Sequence, residues 1–307
     1  MRLHKSGQSW VVHTPAKLNL FLEVLGKRDD GFHELQTLMT TVNLFDTLVF
    51  TEEPHSNVSL RCHDAGCALR KDARSGRSST VSIPEGADNL AVRAAELLRS
   101  KTGVRAGIHI DLYKRIPAAA GLAGGSSNAA ATLFALNRIH GLGLSRQELQ
   151  ELASEIGSDV SFFLSPSPTA LCEGRGEIIR PTALPSRLYF VIAKPASGLS
   201  TADVFRNCRP ESSPRGAAAL LQSLNQGNLQ RAGSQLFNSL QAPAESLNPE
   251  LQRLKQNFAR QRFVGHMMSG SGTAWFGVCR HRHEAMTAAS RLRASGPDRV
   301  FVAETSP

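Results

Sequence analysis

Residues 117–133, Pro-Ala-Ala-Ala-Gly-Leu-Ala-Gly-Gly-Ser-Ser-Asn-Ala-Ala-Ala-Thr-Leu, constrain this chain more than any other stretch. A turn of glycine and alanine leads straight into an alanine-rich helix. Gly121, Gly124 and Gly125 place no side chain between the backbone and a ligand. Ser126 and Ser127 stand where the helix begins. The unpaired N–H groups at that end, with the positive end of the helix dipole, suit a phosphate. Upstream, Ile108, Ile110 and Leu112 alternate with His109, Asp111 and Tyr113, the period of a half-buried strand. The order is strand, Lys114-Arg115, glycine loop, helix. A tight structural turn accounts for the same residues, and the local pattern leaves both readings open. No Gly-Lys-Ser/Thr follows the glycines, which excludes a Walker A loop. The spacing of Gly121 and Gly124 excludes the Rossmann fingerprint.

At 307 residues the chain can bury one large core or two ordinary ones. With 41% hydrophobic and 20% charged residues, global disorder is excluded. No apolar run approaches the ~20 residues a membrane span needs. The first ten residues have no apolar segment behind them, so a secretory signal is not expected and the cytoplasm is. The five cysteines, Cys62, Cys67, Cys172, Cys208 and Cys279, are scattered and odd in number. They read as free thiols, and Cys62 and Cys67 with His55 and His63 lack a second zinc-ligand pair. No metal ligand is assigned. The net charge of +9 comes from dispersed Lys and Arg, without the aromatic-interleaved basic stripe of a nucleic-acid binder. It reads as a solvated surface that also attracts polyphosphates.

Strand patterns occupy residues 9–25 and parts of 42–60. A polar, turn-rich excursion fills 61–87. Asp88 is placed to cap a helix reaching about Ser100, with Leu90, Ala94, Leu97 and Leu98 on one face and Gly103 beyond its end. The helix from Ser126 runs to Gly141. A second begins at Ser145, where Glu148 completes a capping box, and stops at Gly157. Leu188–Ala193 reads as a buried strand, and Pro181, Pro185 and Ser186 mark a boundary before it. Helices are expected over about 217–240, 246–260 and 283–294, and strands over 274–279 and 299–303. Strands and helices without regular alternation favour an α+β class. The division is 1–184 and 185–307.

Lys17 and Asn19, in Pro15-Ala16-Lys17-Leu18-Asn19-Leu20-Phe21-Leu22, share one face of a strand. The simple account is the solvent face of an edge strand. Asp159, in Gly157-Ser158-Asp159-Val160, fits a turn or cap. Ser269-Gly270-Ser271-Gly272-Thr273 forms a second glycine loop between strand-like segments. Phe32 and His33 fit packing plus a surface histidine.

Pro-x-x-x-Gly-Leu-x-Gly-Gly-Ser-Ser resembles the ATP-binding motif of the GHMP kinases. The other motifs follow in that family's order from Pro15 to about Gly277. The resemblance implies a two-domain GHMP-type architecture with the active site in the cleft between domains. It implies ATP, with Mg²⁺ accompanying it, held by Asn89, Lys114, Pro117, Gly121, Leu122, Ala123, Gly124, Gly125, Ser126 and Ser127. Asp159 becomes the catalytic base and Lys17 its partner. An alcohol attacking the γ-phosphoryl group must lose a proton, and a carboxylate in reach can take it. The resemblance is closest to the branch whose substrate is a cytidyl-linked sugar alcohol, phosphorylated on a hydroxyl. Asn19, Phe32, His33, Thr201, Phe205, Ser269, Gly270, Ser271 and Gly272 are its implied substrate residues. Phe32 stands where tyrosine is commoner. Ala123 replaces a usual glycine, which alanine can do if φ stays negative. Another GHMP kinase, of mevalonate or homoserine type, and a non-catalytic nucleotide-binding regulator are the alternatives. A small-molecule substrate is expected, with neither nucleic acid nor membrane as partner. Monomer and homodimer both stay open.

Overall fold

The structure, a computed structural model, describes residues 1–64, 83–297 and 299–306. Cys67 and most of the turn-rich 61–87 stretch lie outside the described residues, and 61–64 end a strand instead. The N-terminal elements are β1 (Leu3–Ser6), β2 (Ser9–Lys27), β3 (His33–Glu53), β4 (Val58–Asp64), α1 (Leu90–Thr102), β5 (Gly107–Lys114), α2 (Gly124–Ile139), α3 (Arg146–Ile156) and α4 (Val160–Phe163). There follow β6 (Thr169–Gly174), β7 (Ile178–Thr182), β8 (Tyr189–Lys194), α5 (Thr201–Arg206), α6 (Ala218–Asn225), α7 (Leu229–Ser234) and β9 (Phe237–Asn238). The chain closes with α8 (Gln241–Leu247), α9 (Pro249–Ala259), β10 (Gly265–Met268), β11 (Trp275–Cys279), α10 (Arg282–Ala294) and β12 (Arg299–Glu304). They form two compact units that share the long strands β2 and β3. One comprises Met1–Ala16, Leu44–Ala118 and Ala123–Ser165, the other Lys17–Asn43, Ala119–Leu122 and Pro166–Pro307.

In the first unit β5 lies between β3, antiparallel to it, and β4, parallel to it. The alternation read at Ile108, Ile110 and Leu112 is real: all three are buried. α1 packs on α2 and α3, and α4 on both α2 and α3. The alanines Ala94, Ala95, Ala130 and Ala131 are fully buried, and their small side chains let the helix backbones approach closely. The cap of α1 is Asn89, one residue later than expected. Its side chain accepts from Ala91 N, and the helix ends on Gly103 at φ 73°. α3 carries both bonds of the Ser145–Glu148 capping box and ends at Gly157.

In the second unit a four-stranded antiparallel sheet runs β10-β11-β8-β12. α10 packs against β8, β11 and β12, and α9 against β10 and β11. Leu22, Val24, Val191, Leu251, Phe258 and Trp275 form part of its core. This burial explains the unbroken apolar run of β8. Pro181, read as a boundary marker, lies inside β7, which pairs with β6 alone among the described strands and so tolerates it. The expected helix over 217–240 is two, α6 and α7. Gly227 breaks it at φ 68°, and the chain then turns into β9 beside β2. The 246–260 stretch also divides: Asn248 caps α9, with Pro249 at its first position. No helix among the described residues is long and apolar enough to cross a membrane.

Candidate active site

Lys17 and Asn19 do not sit on a solvent face. They are 3% and 2% exposed, on a strand that is not at an edge. The resulting burial of polar groups requires partners. Lys17 Nζ donates to Asn19 Oδ1 at 2.6 Å, Asn19 Nδ2 donates to Thr37 Oγ1 at 2.9 Å, and Thr37 Oγ1 donates to the Phe21 carbonyl at 2.6 Å. Thr37 carried no signal in the sequence. Its part depends on β3 lying beside β2.

Both glycine loops reach this cluster in the second unit. Lys17 N donates to the Leu122 carbonyl at 3.1 Å. Ser269, fully buried, donates its hydroxyl to the Gly121 carbonyl at 3.0 Å, and Ala274 N donates to the Ala120 carbonyl at 3.0 Å. Gly121 has φ 73°, and a Cβ there would stand 2.0 Å from the Ser269 carbonyl oxygen. Only glycine permits that approach. Asn238 fastens the second loop by donating to the carbonyls of Met268 and Gly270, at 2.9 and 2.8 Å. It too escaped sequence reading, because it comes from β9, far away in the chain. Thr201 and Ser271 pair their hydroxyls at 2.8 Å. Gly270 and Gly272 both adopt positive φ in the same loop.

The remaining loop residues belong to the first unit. α2 starts at Gly124, two residues before Ser126, so Gly125, Ser126 and Ser127 lie in its first turn. Ala123, the residue before it, has φ 53°. The condition of negative φ is therefore not met, and alanine here holds a left-handed conformation that glycine would adopt freely. Pro117 is buried just before the loop, and Leu122, in the second unit's part of the loop, is buried as well. The Ser127 hydroxyl is buried without a hydrogen-bond partner among the described residues. Such a group costs about 1–3 kcal/mol, which a ligand oxygen would relieve. Lys114 ends β5 with its ammonium on the carboxylate of Asp46, which is fully buried. Asp46 also accepts from Arg115 N and Ile116 N at 2.8 Å each. A Cβ on Gly124 would stand 2.8 Å from Lys114 Nζ, so the pinned ammonium borders the helix start. Asp46 was not foreseen: an aspartate within a strand pattern gives no hint of a partner 68 positions on. Asn89 uses its side chain to cap α1 and to donate to the Pro84 carbonyl at 2.7 Å. Asp159 is half-buried between the end of α3 and α4. No group of three or more His, Cys, Asp or Glu among the described residues could hold a metal ion.

The aromatic residues lie in the second unit. Phe32 is 50% exposed, and the Arg175 guanidinium sits 4.7 Å from its ring centre. His33 and Phe205 are in contact, centroids 5.1 Å apart and planes 33° off parallel. Burial, and secondarily Lys27, holds the His33 pKa below its ordinary value, which favours the neutral ring. Arg175 arrives by the pairing of Leu35 with Gly174 across β3 and β6. No local pattern marks it.

Residues 89–166 match the GHMP kinases N terminal domain and 218–298 the GHMP kinases C terminal domain. The fold agrees: a homoserine kinase from Cytophaga hutchinsonii superimposes with a TM-score of 0.72 over all of this chain and 97% of its own, at 18% identity. Fold and motifs place the chain among the GHMP small-molecule kinases. The 4-diphosphocytidyl-2-C-methyl-D-erythritol kinase of Shouchella clausii (strain KSM-K16) is 42% identical over 268 residues, 87% of this chain and 84% of the relative. That of Bacillus cytotoxicus is 40% identical over 88% of each chain. The crystal structure of a 4-(cytidine 5'-diphospho)-2C-methyl-D-erythritol kinase matches with a TM-score of 0.78, at 35% identity, over 97% of this chain and 100% of that one. The chain belongs to the 4-diphosphocytidyl-2-C-methyl-D-erythritol kinase family.

Proposed function

We propose that this chain transfers the γ-phosphoryl group of ATP to the 2-hydroxyl of 4-diphosphocytidyl-2-C-methyl-D-erythritol, in the methylerythritol phosphate route to isoprenoid precursors. One observation carries the reading beyond family membership. The buried Lys17–Asn19–Thr37 chain, the apex of the first glycine loop and the second glycine loop are joined by hydrogen bonds within one unit. Phosphoryl transfer rests on positioning and on charge stabilisation, and this arrangement offers both.

In this reading the N–H groups opening α2 and the Ser126 and Ser127 hydroxyls hold the ATP phosphates, and Lys114 and Asn89 border the nucleotide. Asp159 takes the proton of the attacking hydroxyl. Lys17 offsets negative charge at the reacting oxygens. Mg²⁺ would accompany the ATP phosphates and would neutralise part of their charge. Phe32, His33 and Phe205 take the cytosine ring by stacking and edge contact, and an aliphatic substrate such as mevalonate has no ring for them. Thr201 and the second glycine loop face the sugar-alcohol part. The free thiols Cys62, Cys208 and Cys279 suit a reducing compartment, and we place the activity in the cytoplasm.

The test is release of ADP by the purified protein, measured with the cytidyl substrate, mevalonate and homoserine in separate reactions. Turnover with the first alone supports the proposal. Preference for either of the others overturns it.

A further inference from the structure

We propose that the first unit carries a second binding site, for a small organic phosphate with an apolar group, at the end of α2 remote from the glycine loop. It does not depend on the kinase reading. α2 has 16 residues, about 24 Å at 1.5 Å per residue. Its first turn carries the phosphate-loop serines. Beside its last turn opens a cleft of about 650 Å³, within the usual range for small-molecule sites. None of the residues assigned above to ATP or substrate lines it.

The lining has two chemistries. Phe134 from α2, Leu149 from α3 and Phe163 from α4 supply an apolar wall, with Leu144 from the connecting turn. Arg138 and Arg146 supply two guanidinium groups. Both are exposed, and among the described residues neither makes a side-chain hydrogen bond or ion pair. Many of the protein's other arginines are occupied: Arg28, Arg99, Arg206 and Arg215 each pair with a carboxylate. Helix electrostatics explain Arg138, in the last turn of α2, where a cation is favoured. They do not explain Arg146. It opens α3, where the dipole already presents positive charge. The acid of that turn, Glu148, commits its carboxylate to Ser145 N at 2.7 Å.

Two unpaired guanidiniums above an apolar wall ask for an anion with an apolar body. A carboxylate would neutralise one of them. A phosphate monoester, nearly dianionic at neutral pH, matches both, and guanidinium binds phosphate oxygens in bidentate fashion. The apolar group then lies on the half-buried Phe134, with the buried Leu149 and Phe163 behind it, and removes the exposed part of that wall from water.

The experiment is calorimetric titration of the full chain, tagged at its C-terminus because Met1 also lines the cleft. The probe is n-octyl phosphate below its aggregation concentration, with inorganic phosphate and n-octanol as controls. The expected result is one saturable site for octyl phosphate, at least tenfold tighter than for either control and undisturbed by saturating ATP. Arg138→Gln/Arg146→Gln should weaken it at least tenfold with an unchanged melting temperature. Phe134→Ser should weaken it while leaving the response to inorganic phosphate alone. Absence of saturable binding, displacement by ATP, or affinity unchanged in the double variant overturns the proposal. Sedimentation with phosphatidic acid vesicles that is lost in the double variant would assign the guanidiniums to a lipid headgroup and overturn it too.

Discussion

Asp46→Asn separates a positioned lysine from a merely basic one. Asp46 is fully buried, and it holds Lys114 together with two backbone N–H groups just before the glycine loop. Asparagine keeps an oxygen for Arg115 N and Ile116 N but turns an NH₂ group toward the ammonium. Lys114 is itself 7% exposed, so its charge is left with little water and no counter-charge. Removing one partner of a buried pair costs about 3–5 kcal/mol. That is a large part of the ~5–15 kcal/mol of a typical domain, so the variant should fold at 25 °C yet unfold at markedly lower urea. At a slope near ~3 kcal/mol/M, the midpoint of the first unit should fall by roughly 1–1.7 M. ATP affinity should fall at least tenfold, about 1.4 kcal/mol, because the ammonium beside Gly124 is no longer held. Lys114→Met added to Asp46→Asn removes the stranded charge. The double variant should then be less destabilised than the sum of the singles by ~1 kcal/mol or more. Additivity within ~0.5 kcal/mol, or a single-variant loss below ~0.5 kcal/mol, would refute the reasoning.

Asp159→Asn should lower kcat by ~10²–10⁴-fold with ATP binding retained, because an amide cannot take the substrate proton, and steady-state kinetics beside ATP titration check both. Ala123→Gly should stabilise the protein by about 0.5–1 kcal/mol in chemical denaturation: relief of the left-handed alanine at φ 53° exceeds the added chain entropy. A loss of stability would contradict that conformation. Phe32→Ala should raise KM for the cytidyl substrate, by up to ~1–3 kcal/mol of stacking, and leave ATP affinity unchanged. A lower melting temperature with unchanged KM would mean that Phe32 only packs under Arg175. The pH dependence of that KM has a definite sign. Burial lowers the His33 pKa, so the neutral ring is favoured, and its contribution is fully present above the ordinary value of 6.5. It is lost as pH falls through the lowered folded value, so KM should be flat above pH 6.5 and rise only below it.

What could be read from the residues was whatever local chemistry dictates. The capping box of α3, the αL glycine ending α1 and the apolar run of β8 act over a few residues, and the structure places them as expected. Most of the missed features are those that only tertiary neighbours supply. Alternation could put Lys17 and Asn19 on one face but not say that the face is buried. The interruption at Gly227 has a local signal in Asn225-Gln226-Gly227-Asn228, which the apolar spacing on either side outweighs. Asp46, Thr37, Asn238 and Arg175 gain their roles through strand pairing or contacts remote in sequence. The φ of Ala123 runs against its residue type, so the residue itself gave no sign of it.

The central claim is phosphorylation at the 2-hydroxyl, and ³¹P NMR of the reaction product tests it directly. Carbon 2 of the substrate bears a methyl group and no hydrogen. A phosphate monoester formed there has no three-bond proton coupling. The account predicts ADP together with an equal amount of a new monoester signal that stays a singlet without proton decoupling. A monoester split by neighbouring protons would mean transfer to a primary or secondary hydroxyl, and ADP without any monoester would mean hydrolysis of ATP; either contradicts it.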